Sequence, residues 1–201
     1  QYVSMVTRAN LQDNEISELP EKIGGIGGAL ELLGLKNNKI KELSESLNQL
    51  VGLKRLDVSD NEISVVSPLL NLKLLVQLNL NRNRLEALPD LFFRGLPSLN
   101  SLTIAENLLT TLPSLSGAPR LRMLSVQKNN ITVLNVRDAL TLECLVASYN
   151  TIENIVGLET LTALQTLDVA HNQLSSWPPV PINTPISCIN LSFNAAIDMI
   201  P

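Results

Sequence analysis

Asparagine returns along this chain at a nearly constant interval. It stands at positions 14, 38, 61, 83, 107, 129, 150, 172 and 194, with separations of 24, 23, 22, 24, 22, 21, 22 and 22 residues. A period held this closely over nine occurrences marks a chain made by stacking one small unit, which confines it to an elongated solenoid. The surroundings of each asparagine repeat as well. Residues 30–40 fill the frame L-x-x-L-x-L-x-x-N-x-L at every fixed position, and the frame returns at 53–63, 75–85, 99–109, 121–131, 142–152 and 164–174. Degenerate copies stand at both ends, 6–16 with Ala9 in a leucine slot, and 186–196.

Physical chemistry assigns a role to each of the eleven slots. The alternation around slots four and six reads as a short strand, with leucines on one face and variable residues on the other. One such strand cannot bury its leucines alone, whereas a stack of parallel copies makes a continuous core. The asparagine in slot nine follows the strand, where the backbone turns and its polar groups need partners. A buried amide supplies both donor and acceptor. Asn14, Asn38, Asn61, Asn83, Asn107, Asn129, Asn150, Asn172 and Asn194 are therefore expected to be a structural ladder. Composition agrees: 45% of residues are hydrophobic but only 3% are aromatic, as suits a core of interchangeable aliphatic side chains.

On these residues the chain resembles the leucine-rich-repeat family over nearly its whole length. The segment from Asn83 to Leu99, with Pro89 and Phe93, resembles the longer repeat class. The segment from Asn150 to Leu164 resembles the shorter class of many intracellular proteins. The resemblance implies an α/β fold, a curved horseshoe. About nine short parallel strands would line its concave face, with loops, 3-10 turns and short helices on the convex face. We expect one domain over residues 1–201, part of a longer protein, because Val3, Val6, Ile197, Met199 and Ile200 would leave both ends partly bare. Trp177 is expected to replace a core leucine. The run from Pro178 to Pro181 should be extended, and the glycines at 24, 25, 27 and 28 a loosened return segment.

Function in such a solenoid belongs to the outward slots two, three, five, seven and eight. The first four repeats present mixed charge: Arg8, Lys36, Lys54, Arg55 and Arg82 against Asp13, Glu31, Asp57 and Asp60. A mosaic of both signs favours a folded, polar protein over a polyanion. The last four present Met123, Cys144, Val146, Tyr149, His171 and Phe193. Tyr149, His171 and Phe193 share slot eight on successive strands and should form a ladder of rings, of the residue types that dominate interface energetics. The candidate partner-binding residues are thus Tyr149, His171, Phe193, Met123, Val146, Arg55, Asp57, Asp60 and Arg82.

Independent catalysis is not expected. His171 is the only histidine, and a spacing of five strand residues puts it on the order of 16 Å from Cys144, out of hydrogen-bond reach. Cys188 stands at the same offset. No catalytic residue, metal site or cofactor is assigned. The two cysteines lie two strands apart, about 10 Å, too far for a disulfide, which needs Cα atoms within roughly 7 Å. Free thiols fit a reducing compartment, so a cytoplasmic location is expected. The triplets Asn130-Ile131-Thr132 and Asn190-Leu191-Ser192 match the glycosylation pattern and leave an extracellular one open. A formal charge of −4 disfavours nucleic acid, and no apolar run approaches the roughly 18–20 residues of a membrane span. The expected function is a monomeric protein-interaction scaffold that binds another protein on its concave face. The alternative is a ligand-sensing or regulatory domain of a larger signalling enzyme or receptor.

Overall fold

The computed structural model describes residues 5–26, 29–194 and 197. In every frame slots three to five form a strand of three residues. These strands are Arg8–Asn10, Leu32–Gly34, Arg55–Asp57, Gln77–Asn79, Ser101–Thr103, Met123–Ser125, Cys144–Val146, Thr166–Asp168 and Cys188–Asn190. They pair in parallel, in chain order, as one nine-stranded sheet. The register never slips: Ala9, Leu33, Leu56, Leu78, Leu102, Leu124, Leu145, Leu167 and Ile189 lie side by side. A slip of one residue would turn each of these apolar side chains to the opposite face.

Behind the sheet runs one continuous core. Leu53, Leu56, Val58 and Ile63 show the pattern of a central repeat, with slots one, four, six and eleven all buried. Each such side chain contributes about 2 kcal/mol by leaving water, but only because the next repeat covers it. The return segments carry 3-10 turns at Ile23–Ile26, Glu45–Gln49, Phe92–Gly95, Leu115–Gly117 and Leu158–Thr160. Two small parallel pairs join them, Glu42–Leu43 with Val65–Val66 and Val133–Asn135 with Asn154–Val156. No α-helix occurs among the described residues, so the short helices expected on this side are all of the tighter 3-10 kind. Neighbouring turns approach closely: a Cβ on Gly95 would lie 2.0 Å from the Leu69 carbonyl oxygen, so only glycine fits there.

The asparagines hold the units together. Asn107 is representative. Its Nδ2 donates to Leu80 O of the preceding repeat and to Ile104 O and Ala105 O of its own, while its Oδ1 accepts from Leu85 N–H, at distances of 3.0–3.3 Å. The same four bonds recur at Asn38, Asn61, Asn83, Asn129, Asn150, Asn172 and Asn194. All eight are buried. Asn14 differs: it is exposed and, among the described residues, donates only to Leu11 O and Gln12 O of its own turn.

Three expectations are adjusted by the packing. Trp177, expected in a core leucine's place, is only half-buried, and its neighbour Pro178 is buried. The proline run is not uniformly extended, since Val180 N–H donates to Pro178 O at 2.9 Å, a tight turn about Pro179. At the ends, Val6 and Ile197 are partly buried against the core; Val3, Gly27, Gly28, Met199 and Ile200 lie outside the described residues.

Replacing Asn107 with alanine strands Leu85 N–H and takes one of two donors from each of Leu80 O, Ile104 O and Ala105 O, whose other donors are Asn83 Nδ2, Asn129 Nδ2 and Arg82 N–H. Urea unfolding should show a loss of about 3 kcal/mol, since the orphaned N–H costs about 1–3 kcal/mol and each further lost bond about 0.5–1.5 kcal/mol. Asn14→Ala should stay within about 0.5 kcal/mol of the parent. Equal losses at the two positions would contradict the inter-repeat role.

Candidate functional site

The nine residues in slot eight share one unusual backbone state. Asp13, Asn37, Asp60, Arg82, Glu106, Lys128, Tyr149, His171 and Phe193 all have φ between 52° and 58°. This left-handed conformation costs a non-glycine residue roughly 1–2 kcal/mol. It persists because hydrogen bonding requires it there. The slot-eight N–H of one repeat donates to the slot-seven carbonyl of the next, as Tyr149 N–H to Ala170 O at 3.0 Å and His171 N–H to Ser192 O at 2.8 Å. Slot eight therefore lies outside the strand, contrary to the expectation that it forms part of it, yet it stays in register from repeat to repeat.

That register makes a row of side chains along the rim of the sheet. In its middle the charges alternate and pair. Asp60 meets Arg82 at 3.3 Å, Arg82 meets Glu106 at 3.5 Å, and Glu106 meets Lys128 at 3.3 Å. Lys36 approaches Asp60 from the neighbouring repeat at 3.8 Å. The hydrogen bond to Asp60, with the field of Glu106 and Asp60, shifts the Arg82 pKa upward. At the far end Tyr149, His171 and Phe193 stack. Successive ring centroids are 4.1 Å apart and the planes are inclined by 12° and 13°. This spacing is tighter than the roughly 4.8 Å between strands, as side chains on the inside of a curve converge. Tyr149 is 51% and Phe193 73% exposed.

The remaining candidates sit on the strands. Met123 is exposed in slot three beside Cys144, and Val146 is half-buried in slot five between Ser125 and Asp168. Arg55 and Asp57 flank Leu56 on one strand. The Asp57 carboxylate is partly engaged: its Oδ1 accepts from Ser59 N–H at 3.0 Å and from Ser59 Oγ at 2.7 Å. Asn10, Asn79, Asp168 and Asn190 accept from the N–H two residues on in the same manner. An Asp or Asn in slot five thus caps its own strand.

Sequence reasoning passed over Gly34, although the glycine itself was the signal. It occupies slot five, where every other repeat carries a side chain. The gap opens a trough of about 460 Å³ on the sheet surface, bordered by Arg55, Asp57, Gln77, Asn79 and Thr103 with Leu32 in its floor.

Among the described residues no three His, Cys, Asp or Glu side chains are grouped to hold a metal. Thr166 stands between the free cysteines Cys144 and Cys188 in the sheet. Burial pushes the Cys144 thiol pKa up, and Asp168 and Cys188 act in the same direction.

Residues 73–131 and 163–184 match two family models, both described as leucine-rich repeat. A transforming growth factor beta activator of Danio rerio, LRRC33, is 35% identical over 82% of this chain and 26% of its own length. The adenylate cyclase of Schizosaccharomyces pombe is 32% identical over 94% of this chain and 12% of its own. The chain therefore spans about a quarter or less of these relatives. Among solved structures, PEPR1–AtPEP1 superposes with a TM-score of 0.76 at 26% identity, over 94% of this chain and 28% of that one. The TLR13–ssRNA13 complex gives a TM-score of 0.73 at 28% identity, over 81% and 24%. No described helix is long and apolar enough to cross a membrane.

The thiolate is the reactive form of cysteine, so a raised pKa leaves Cys144 with less of it at a given pH. Without reductant both cysteines should be alkylated by iodoacetamide, Cys188 ahead of Cys144. The gap should narrow as the pH rises through the thiol range. Peptide mass spectrometry reads both rates. Equal rates near neutral pH would refute the partial burial of the Cys144 thiol.

Proposed function

From the premise that this chain is a leucine-rich-repeat solenoid, we propose that it binds a protein partner on its concave sheet face, and that Tyr149, His171 and Phe193 anchor that contact. The observation that supports the reading is the three-ring stack, exposed at Tyr149 and Phe193 with His171 half-buried between them. Three side chains are held in one orientation by backbone register, so little conformational freedom remains to be lost on binding. Aromatic surface with that preorganisation is what interface hot spots consist of. Met123 and Val146 extend the apolar area inward along the strands. Asp60 and Arg82 contribute orientation, because their charges are already matched to each other and steer a partner more than they hold it. A polyanionic partner is disfavoured by the alternating charges of the rim.

A second reading rests on the match to adenylate cyclase over 94% of this chain: the solenoid serves as the sensing or regulatory segment of a larger signalling protein. Both readings use the same face and need no chemistry from it. A reducing, cytoplasmic setting is the location proposed, on the ground that the two free thiols are separated by a strand.

Affinity capture with quantitative mass spectrometry tests the concave face. The parent chain is compared with a Tyr149→Ala/Phe193→Ala variant and with Leu140→Ser, an exposed residue outside the strands. Removal of hot-spot side chains worth about 2 kcal/mol should weaken a specifically captured protein about thirtyfold in the first variant. The second variant should behave as the parent. Partners lost with Leu140→Ser and retained without the rings would overturn the proposal.

A further inference from the structure

Seven cations occupy the outward slots of the sheet surface: Arg8, Lys36, Lys54, Arg55, Arg82, Arg122 and Lys128. Five of them hold an acid. Lys36 pairs with Asp60, Lys54 with Glu31, Arg82 with Asp60 and Glu106, Arg122 with Glu143, and Lys128 with Glu106. Among the described residues Arg8 and Arg55 are the two without an ion pair. They are also neighbours in space. Both stand in slot three, Arg8 opposite Leu32 and Leu32 opposite Arg55, so one leucine separates two exposed guanidinium groups.

Arg8 and Arg55 border a single shallow hollow of about 240 Å³ with Glu31, Leu32 and Lys54. The acid in that hollow is already held, by Lys54 at 2.6 Å. Two like charges over an apolar floor repel each other, and an anion placed between them would relieve this. Their Cα atoms are about 10 Å apart across two strand spacings, so both side chains can reach one group seated over Leu32. Guanidinium pairs carboxylate or phosphate bidentately.

We propose that Arg8 and Arg55 form a carboxylate subsite, and that the trough beside it receives an extended, acidic peptide segment. This deepens the reading of the sheet face as partner-binding and rests on it. The trough adjoins the hollow at Leu32 and Arg55 and exceeds it in volume, at about 460 Å³. Beyond Arg55 its borders turn neutral: Gln77, Asn79, Ser101 and Thr103 offer amides and hydroxyls, which match peptide N–H and C=O groups. Gly34 supplies the clearance for a backbone to lie close to the sheet. The carboxylates of Asp57 and Glu31 border the same region. A polyanion would meet them in succession, whereas a peptide with one acidic residue would not. Carboxylate is therefore favoured over the phosphates of a nucleic acid.

The test is an NMR titration of the intact, isotope-labelled chain, following the Nε–H signals of Arg8 and Arg55. The probe is the peptide acetyl-Gly-Glu-Gly-Ser-amide, and its glutamine counterpart is the control. Both arginine signals should move saturably with the glutamate peptide. Binding should weaken about tenfold or more with the glutamine peptide, in Arg8→Gln and in Arg55→Gln, as befits loss of a charge-assisted hydrogen bond. Both side chains are exposed, so the variants keep the fold, which circular dichroism verifies. Gly34→Leu, whose Cβ would lie 3.2 Å from Asn10 Oδ1, the acceptor of Gln12 N–H, should fill the trough and weaken the peptide to a similar degree, with circular dichroism again verifying the fold. Shifts that do not saturate, or that are equal for the two peptides, would overturn the subsite. Inorganic phosphate saturating the same signals at lower concentration would overturn its assignment to carboxylate. Flat arginine signals with capture still dependent on Tyr149 and Phe193 would reject the subsite alone. Capture indifferent to those rings would reject the wider reading of the face, and the arginine titration would remain independently readable.

Discussion

The asparagine side chain is the joint on which this molecule depends. Its amide spans two repeats at once, donating to carbonyls on both sides of the joint and accepting from the N–H two residues past the preceding asparagine. No other contact in the unit satisfies so many backbone groups at the place where the strand ends. The leucines supply more total free energy, but they are interchangeable in kind and do not specify a register. A buried amide does, because a displaced repeat would leave several polar groups without partners in a medium that penalises each of them. Register is thus set by polar chemistry and stabilised by apolar burial.

The concave surface inherits its character from that constraint. Because the chain must turn just before the asparagine, slot eight is driven into the left-handed region whatever residue stands there. Arg82, Glu106, Lys128, Tyr149, His171 and Phe193 all occupy a conformation their side chains would not choose. What they gain is alignment. A row of side chains at fixed spacing permits alternate charges to neutralise one another in the middle of the solenoid and rings to stack at its far end. The same scaffold constraint yields two surfaces of different physics.

Much of this was legible in the residues. The asparagine period and the leucine slots predicted strand positions, their order and their parallel pairing, because each rule acts locally and recurs in every repeat. The Tyr149–His171–Phe193 ladder was legible for the same reason, as shared slots become shared places. The sequence pattern misplaced slot eight within the strand, since alternation continues past the point where the backbone turns. Pairing among charges was hidden too: Arg82 and Arg55 look alike in sequence, yet one bridges two acids and the other bridges none. Asp57 looked free, whereas its own turn claims one of its oxygens. Trp177 shows the limit of slot logic, for a frame records which residue faces inward but not how far it is covered.

The division of the concave face follows from how a folded surface spends its charge. In the middle of the row every slot-eight charge finds its opposite one repeat away, so a partner approaching there gains little from any single residue. A surface matched to itself contributes orientation and excludes wrong partners more than it adds affinity. Where that matching fails, the surface is left with something to offer. At one end it fails because the row changes from charge to rings; at the other it fails because Arg8 and Arg55 flank a leucine where the acid at hand is already bound to Lys54. Recognition in a repeat protein is therefore to be sought where the repetition breaks, and Gly34, the one unfilled slot in its row, lies beside such a break.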